Sequence, residues 1–213
     1  MTDSSQLLSS FSELQLDALA ETFNLSLGEA AAVFSEMVSE TIELSVPTVK
    51  ILHRDELIAE VGHAGPVNSS GRLCGINQHF EAGELFSTDT MLVFPEKGSL
   101  EIVRRMLGDT TSVDQITELE QDALAEIGNI IINSCMSSLA NLFHSTIEGT
   151  LPVVETNEAV TLFNNHIAND LILVAKIGMT MSTQDISGYM LFIMDVNSVK
   201  GFMLQVQKLF GIE

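Results

Sequence analysis

The sequence contains the same helical segment twice, and this internal repeat limits the chain to folds built from two similar halves. The segment DALAETFN at residues 17–24 matches DALAEIGN at residues 122–129 in six of eight positions. At the same separation Pro47 in SVPTV meets Pro152 in LPVV. A register shared by a helix and by a proline beyond it indicates duplication of a whole structural unit.

The repeat extends over both halves of the chain. The strand-like segment TMLVFP at 90–95 resembles YMLFIM at 189–194, at a slightly shorter separation. We therefore predict one domain over residues 1–213, made of two repeats at about 12–110 and 117–213. No proline-rich, glycine-rich or charged linker separates the repeats, and GDTTSVDQI at the junction is an ordinary turn.

Each repeat predicts the order helix, strand, loop, two paired strands and a closing helix. The long helices begin at capping-box patterns, S-x-x-Q at 12–15 and T-x-x-E at 117–120, and run to about residues 39 and 145. The predicted strands are 43–52, 72–81, 84–94, 150–156, 171–181 and 187–194, the closing helices lie near 97–107 and 197–209, and a Gly/Ser/Asn-rich loop occupies 62–72. The predicted class is α+β, a pseudo-two-fold duplicated domain with two long helices packed on a shared, mostly antiparallel sheet.

Composition excludes several kinds of partner and site. A formal net charge of -20 and a pI of about 4.3 argue against nucleic acid and anionic membrane surfaces. No secretory signal or transmembrane run is found, so we expect a cytoplasmic protein without membrane insertion. Cys74 and Cys135 form no CxxC pair and are expected to be reduced thiols. The five histidines are scattered, and we predict no metal site.

The second copy of the repeated helix carries a polar stripe at helical spacing. Asp122, Glu126, Asn129 and Asn133 share one face, opposite an apolar face that includes Leu124, Ile127, Ile131, Cys135 and Leu142. Gly128 sits mid-helix, where glycine is less favourable than alanine by about 1 kcal/mol. We expect this glycine to leave room for another backbone or side chain to approach.

The first copy repeats the stripe with Asp17, Glu21 and Asn24. Polar residues three apart on a helix are usually a solvated face, and one such pair has little meaning. Here the same Glu and Asn stand in both copies although the surrounding residues have diverged, which favours a function. Phe23 takes the place of Gly128 in this copy, and we expect it to be either buried or an anchor for a partner.

The motif DALAEIGNI, with LDALAETFNLSLGEAA upstream, resembles the CheC family of bacterial chemotaxis proteins, which includes CheC, CheX and the phosphatase portion of FliY. Members of this family carry Glu-x-Gly-Asn on a long helix. The segment EAAAVFSEMVSETIELSVPTVKIL is also similar to the family, including the SVP that enters the first strand. Two motif copies resemble the CheC members more closely than CheX, which typically carries one.

This resemblance implies a phosphatase that acts on the aspartyl phosphate of a CheY-like response regulator. Asn129 would position the attacking water, as the glutamine of GTPases does, and Glu126 would pair with the regulator's active-site lysine. Glu21 and Asn24 would be the equivalents in the first half. The enzyme would have no cofactor of its own, because Mg²⁺ is expected on the regulator. The predicted partner contacts are Asp122, Gly128, Asn133, Asp17 and Phe23.

Two alternatives to an enzyme remain open at this stage. One is a non-enzymatic adaptor that binds CheD, a flagellar-switch protein or a response regulator. The other is a generic acidic binding domain in which the repeat is a relic of the fold. A conventional hydrolase is poorly supported, since GxSxG is missing and no Ser–His or Cys–His arrangement has a recognisable spacing. A duplicated chain already contains an internal two-fold axis, so a monomer is expected.

Overall fold

The computed structural model describes residues 11–62, 72–107, 117–166, 171–181 and 187–212, and the order of elements in its first half recurs in its second. The first half contains α1 (Glu13–Val38), β1 (Ile42–Leu44), β2 (Thr48–His53), α2 (Arg54–Gly62), β3 (Arg72–Glu81), β4 (Ser87–Pro95) and α3 (Glu96–Leu107). The second half contains α4 (Glu118–Phe143), β5 (Glu148–Gly149), β6 (Val153–Glu158), α5 (Ala159–His166), β7 (Leu171–Met181), β8 (Ser187–Met194) and α6 (Val196–Phe210). The predicted α+β class is confirmed. The turn predicted at the junction and nearly all of the loop predicted at 62–72 lie outside the described residues.

The two halves exchange strands to build one sheet. The strand order is β1-β7-β8-β4-β3-β5, with β2 also pairing with β7 and β6 with β3, and every pairing is antiparallel. The strands β1 and β2 therefore hydrogen-bond to the second half, while β5 and β6 hydrogen-bond to the first. Neither half completes its sheet alone. Without the other half, one edge of β3 and one edge of β7 would lack hydrogen-bond partners, and unpaired backbone groups are costly when buried.

Hydrogen bonds between the halves show which residues are equivalent. The Ser45 N–H donates to the Gly178 carbonyl at 2.9 Å, and the Thr150 N–H donates to the His79 carbonyl at 2.9 Å. The return bonds match too, because the Gly178 N–H donates to the Ser45 hydroxyl at 2.8 Å and the His79 N–H to the Thr150 hydroxyl at 3.1 Å. The strands β3 and β7 are thus related with His79 equivalent to Gly178.

The sequence match between TMLVFP and YMLFIM is displaced by one residue from the structural equivalence. That match aligns Leu92 with Leu191, yet these side chains belong to the cores on opposite faces of the sheet. Side chains alternate between faces along a strand, so an alignment shifted by one residue exchanges the two faces. The face pattern makes Leu92 equivalent to Phe192, and Met91 equivalent to Leu191, its partner across the β4–β8 ladder.

The fold has three layers, because helices cover both faces of the sheet. The long helices α1 and α4, with α3 and α6, enclose the larger core. The short helices α2 and α5 cover the other face through Leu57, Val61, Leu162 and Phe163. These two helices were not predicted. Each is only two or three turns long, and α2 is rich in charged residues, so neither has a long apolar period.

The predicted capping boxes start both long helices. The Ser12 N–H donates to Gln15 Oε1 at 2.8 Å, and the Gln15 N–H donates back to the Ser12 hydroxyl at 3.3 Å. In the second helix the Thr117 N–H donates to Glu120 Oε2 at 2.9 Å. Each helix ends at a residue in the left-handed region, Ser39 and His144.

Helix α4 is the one helix in the described part of the chain that is long and apolar enough to cross a membrane by composition. Half of its apolar window is buried inside the fold. A core helix satisfies the same criterion, so this feature is weak evidence for a membrane span.

Both cysteines are buried free thiols, and we expect them to be inert in the native protein. Burial raises the pKa of Cys74 to about 11 and the pKa of Cys135 to about 12. The thiolate is the reactive form, so neither thiol should react with a colorimetric disulfide reagent at pH 8 until denaturant is added. Titration with and without denaturant measures this, and rapid labelling of the native chain would contradict it.

Candidate functional site

The polar stripe of α4 lies on the outside of the fold, as its periodicity predicts. Asp122 and Glu126 are exposed, while Asn129 and Asn133 are half-buried. Among the described residues no side chain binds the Glu126 carboxylate, so its oxygens face solvent one turn before Asn129. The opposite face of the helix is buried in the larger core.

The side chain of Asn129 is held from below by two other amides. Its Oδ1 accepts a hydrogen bond from Asn133 Nδ2 at 2.7 Å and another from Gln78 Nε2 at 3.4 Å. The Asn133 Nδ2 also donates to the main-chain carbonyl of Asn129 at 2.7 Å. The Gln78 Nε2 also donates to the Thr150 carbonyl at 3.0 Å. The strand β3 and the segment before β6 thus position this helix side chain.

These contacts determine which way the Asn129 carboxamide points. Main-chain carbonyls only accept hydrogen bonds, so the Asn133 and Gln78 atoms that face them must be nitrogens. The same two nitrogens contact Asn129, whose contacting atom must therefore be its oxygen. Both lone-pair directions of Oδ1 are then used. The Asn129 Nδ2 has no acceptor within the described residues, and it can donate to a bound molecule.

The structure corrects the prediction that Gly128 is a partner contact. This residue is buried, and a Cβ built on it would lie 2.3 Å from Ile76 Cγ2 and 3.0 Å from Ile76 Cβ. Real Cβ atoms do not approach other carbons so closely. The glycine therefore lets α4 pack against β3 of the same chain, and it is not a contact for another protein.

The structure also decides between the two roles expected for Phe23. The ring is fully buried, with its centroid 4.6 Å from that of Phe192 and stacked 5.3 Å from that of Phe202. Its role as a partner anchor is wrong, because no part of the ring is accessible. The register of β3 and β7 makes Ala175 the counterpart of Ile76. In one half the helix carries the small residue, Gly128, and the strand carries the large one. In the other half the helix carries the large residue, Phe23, and the strand carries the small one.

The first copy of the motif keeps its polar residues exposed but lacks their support. Asp17, Glu21 and Asn24 are all exposed, and Asn24 Nδ2 donates to Glu21 Oε2 at 3.4 Å. The two amides that hold Asn129 have Gly28 and Ile177 at the equivalent positions of this half. The carboxamide of the first copy is therefore anchored only to the neighbouring exposed carboxylate.

Sequence reasoning missed Gln78 and Thr150, which lie far from the motif in the chain. One signal was available for Gln78. It occupies an inward position of a strand whose other inward residues, such as Ile76 and Phe80, are apolar. A polar residue on a buried face normally has a specific hydrogen-bond partner. The sequence does not reveal that this partner is Asn129.

Within the described residues there is no cluster of three or more His, Cys, Asp or Glu side chains that could hold a metal ion. The predicted absence of a resident metal stays a prediction. The chemistry available at the site is that of a fixed amide donor beside a free carboxylate.

Both the sequence and the fold of this chain are similar to those of known chemotaxis and flagellar-switch proteins. No family model matches the sequence. The chain is 26% identical over 170 residues to the CheY-P phosphatase CheC of Bacillus subtilis strain 168, covering 78% of this chain and 76% of that protein. It is 25% identical over 146 residues to the flagellar motor switch phosphatase FliY of the same organism, covering 68% of this chain but only 36% of FliY. The crystal structure of Thermotoga maritima FliY superposes with a TM-score of 0.74 at 21% identity, covering 93% of this chain and 98% of that one.

Proposed function

We propose, on the premise that this chain belongs to the CheC family of chemotaxis proteins, that it hydrolyses the aspartyl phosphate of a CheY-like response regulator. The observation that carries the proposal is the Asn129 amide, turned outward and held in one orientation beside the free carboxylate of Glu126. The likeness to a protein named as a CheY-P phosphatase supports this choice of substrate.

The reaction needs a positioned water rather than a nucleophile on the enzyme. Water attacks phosphorus in line with the bond to the aspartyl oxygen, that bond breaks, and inorganic phosphate and a free carboxylate leave. The Asn129 Nδ2 would donate to one lone pair of the water oxygen, which leaves the other lone pair aimed at phosphorus. Placing one water in this way removes an entropic part of the barrier. Mg²⁺ on the regulator would neutralise the phosphoryl oxygens.

Glu126 would dock the regulator by pairing with its active-site lysine, and Asp122 would extend this acidic surface by one turn. We expect Glu126→Gln to raise KM for the phosphorylated regulator about tenfold with little change in kcat, because an ion pair to the docked partner is lost. Steady-state phosphate release measures both constants. Glu36→Gln, at another exposed glutamate on α1, is the matched control. A fall in kcat without a change in KM would contradict the docking role.

We propose that the second site, formed by Glu126 and Asn129, carries most of the activity. Glu21 and Asn24 would act as a weaker equivalent pair, since no side chain from the sheet holds Asn24 in one orientation. Gly128 and Phe23 take no part in binding.

The test is release of phosphate from a phosphorylated CheY-type regulator with catalytic amounts of this chain. The expected result is multiple turnovers above the regulator's own rate of dephosphorylation. The control is a chain carrying both Asn129→Ala and Asn24→Ala. An unchanged rate with wild-type protein, across regulators that bind it, would overturn the proposal.

A second candidate function is the non-enzymatic adaptor, and one observation favours it. Val46 and Leu151 occupy equivalent positions before the two prolines and are 80% and 84% exposed. An exposed apolar side chain at the same place in both halves offers a partner apolar surface to cover, and the partner would be CheD, a switch protein or the regulator itself. Binding of a regulator without turnover would favour this function. In either case we place the protein in the cytoplasm as a monomer, which mass measurement in solution can check.

A further inference from the structure

Gln78 is a buried polar side chain at a position where the other half of the fold carries a hydrocarbon. It is 1% exposed and lies on the face of β3 that packs beneath α4. The register of β3 and β7 makes Ile177 its equivalent, and that side chain is fully buried. Burying an amide is unfavourable unless hydrogen bonds replace those to water, so the fold alone does not explain Gln78.

The hydrogen bonds of Gln78 are satisfied on one side only. Its Nε2 donates to the Thr150 carbonyl and to Asn129 Oδ1, whereas its Oε1 is buried without a hydrogen-bond partner among the described residues. A buried acceptor left unpaired costs stability. The amide is therefore retained for what its nitrogen does, which is to link the Asn129 side chain to the main chain before β6.

We infer that Gln78 is a positioning residue that fixes the orientation of Asn129 and thereby makes the second site the efficient one. The inference rests on the proposed function, in which Asn129 holds the attacking water. Gln78 and Asn133 together occupy Oδ1 and leave a single orientation, with Nδ2 outward. The first half has neither donor, so the Asn24 carboxamide is held only by its 3.4 Å hydrogen bond to the exposed Glu21 carboxylate.

The experiment compares Gln78→Leu with Ile177→Leu, its matched control at the equivalent position, both in an Asn24→Ala background that isolates the second site. We expect Gln78→Leu to lower kcat about tenfold, because a misaligned group loses much of its positioning effect. We expect KM to stay within about twofold, since the docking carboxylate is untouched. The control should match its parent in both constants.

A second readout does not depend on activity. Nitrogen-15 relaxation of side-chain amides should show an ordered Asn129 and a mobile Asn24 in the wild type, and a mobile Asn129 in Gln78→Leu. The thermal midpoint of Gln78→Leu should not fall, because the unpaired buried oxygen is removed. If even wild type releases no phosphate, the proposed function fails while the relaxation data still test the positioning.

Two results would overturn the inference. One is an Asn129 amide that stays equally ordered in Gln78→Leu. The other is an unchanged kcat in an active chain whose Asn129 has become mobile. A loss of rate that comes with a lower thermal midpoint and an unchanged amide would assign Gln78 a structural role instead.

Discussion

Replacing Asn129 by alanine is expected to slow phosphate release from the regulator about a hundredfold, the typical loss when one preorganised hydrogen-bond donor is removed. The side chain is half-buried at the surface of α4 and held by two amides, so its loss removes an aligned donor rather than a mobile one. Binding of the regulator should be nearly unchanged, because Glu126 remains. Single-turnover release and equilibrium binding, measured on the same variant, separate the two effects.

The matched control for this variant is Asn141→Ala, an exposed asparagine near the end of the same helix. It should leave the rate unchanged. Asn24→Ala should slow release by less than about threefold, because an amide held only by an exposed carboxylate contributes little positioning. An Asn129 variant that retains full activity, or an Asn24 variant that loses most of it, would show that α4 does not carry the principal site.

Replacing Gly128 by alanine is expected to lower the free energy of unfolding by about 2 kcal/mol, although alanine favours helix over glycine by about 1 kcal/mol. The added Cβ would lie 2.3 Å from Ile76 Cγ2, and both residues are buried. Ile76 is branched at Cβ and cannot rotate its methyl group away at little cost. Denaturant unfolding followed by circular dichroism measures the change.

Two companion variants make this prediction sharp. Gly28→Ala is the matched control, because nothing lies within 4 Å of a Cβ at this exposed glycine of α1. It should stabilise the protein by up to about 1 kcal/mol. Ile76→Ala alone should cost about 2–5 kcal/mol by creating a cavity. In that background Gly128→Ala should become stabilising, since its methyl group fills part of the space. The same destabilisation with and without Ile76 would show that another neighbour causes the clash.

Local sequence patterns were sufficient to predict those features whose interactions lie within one helix. The capping boxes and the polar stripe of Asp122, Glu126 and Asn129 depend on separations of three and four residues, which are neighbours in any α-helix. The long central strands and the closing helices were predicted because apolar segments bounded by turn residues mark them locally. The segment predicted as one strand at 43–52 forms two strands, β1 and β2, the strand predicted at 150–156 is β6 at 153–158, and the two-residue β5 was missed. The short helices α2 and α5 were missed because their sequences are too short to show a period.

The interpretation of Gly128 as a partner contact failed, and that of Phe23 stayed open between burial and a partner anchor, for a different reason. The presence of a glycine or a phenylalanine in a helix gives the volume of that side chain, but not which residues pack against it. The opposing surface is β3 for one helix, with Ile76, and the other half of the sheet for Phe23. These neighbours are distant in sequence, so the volume match appears only when the chain is folded.

The sequence by itself therefore determined the duplication, the α+β class, the two long helices and the outward-facing Glu–Asn pair on each, because all of these follow from local patterns and from the likeness of the two copies. Only the tertiary structure decided that the halves exchange strands and that the two pairs are unequal. The inequality comes from Gln78, which reaches Asn129 across 51 residues of sequence, and from Ile177, which offers Asn24 no hydrogen bond. A hydrogen bond between distant residues requires the fold that brings them together, and no local pattern encodes it.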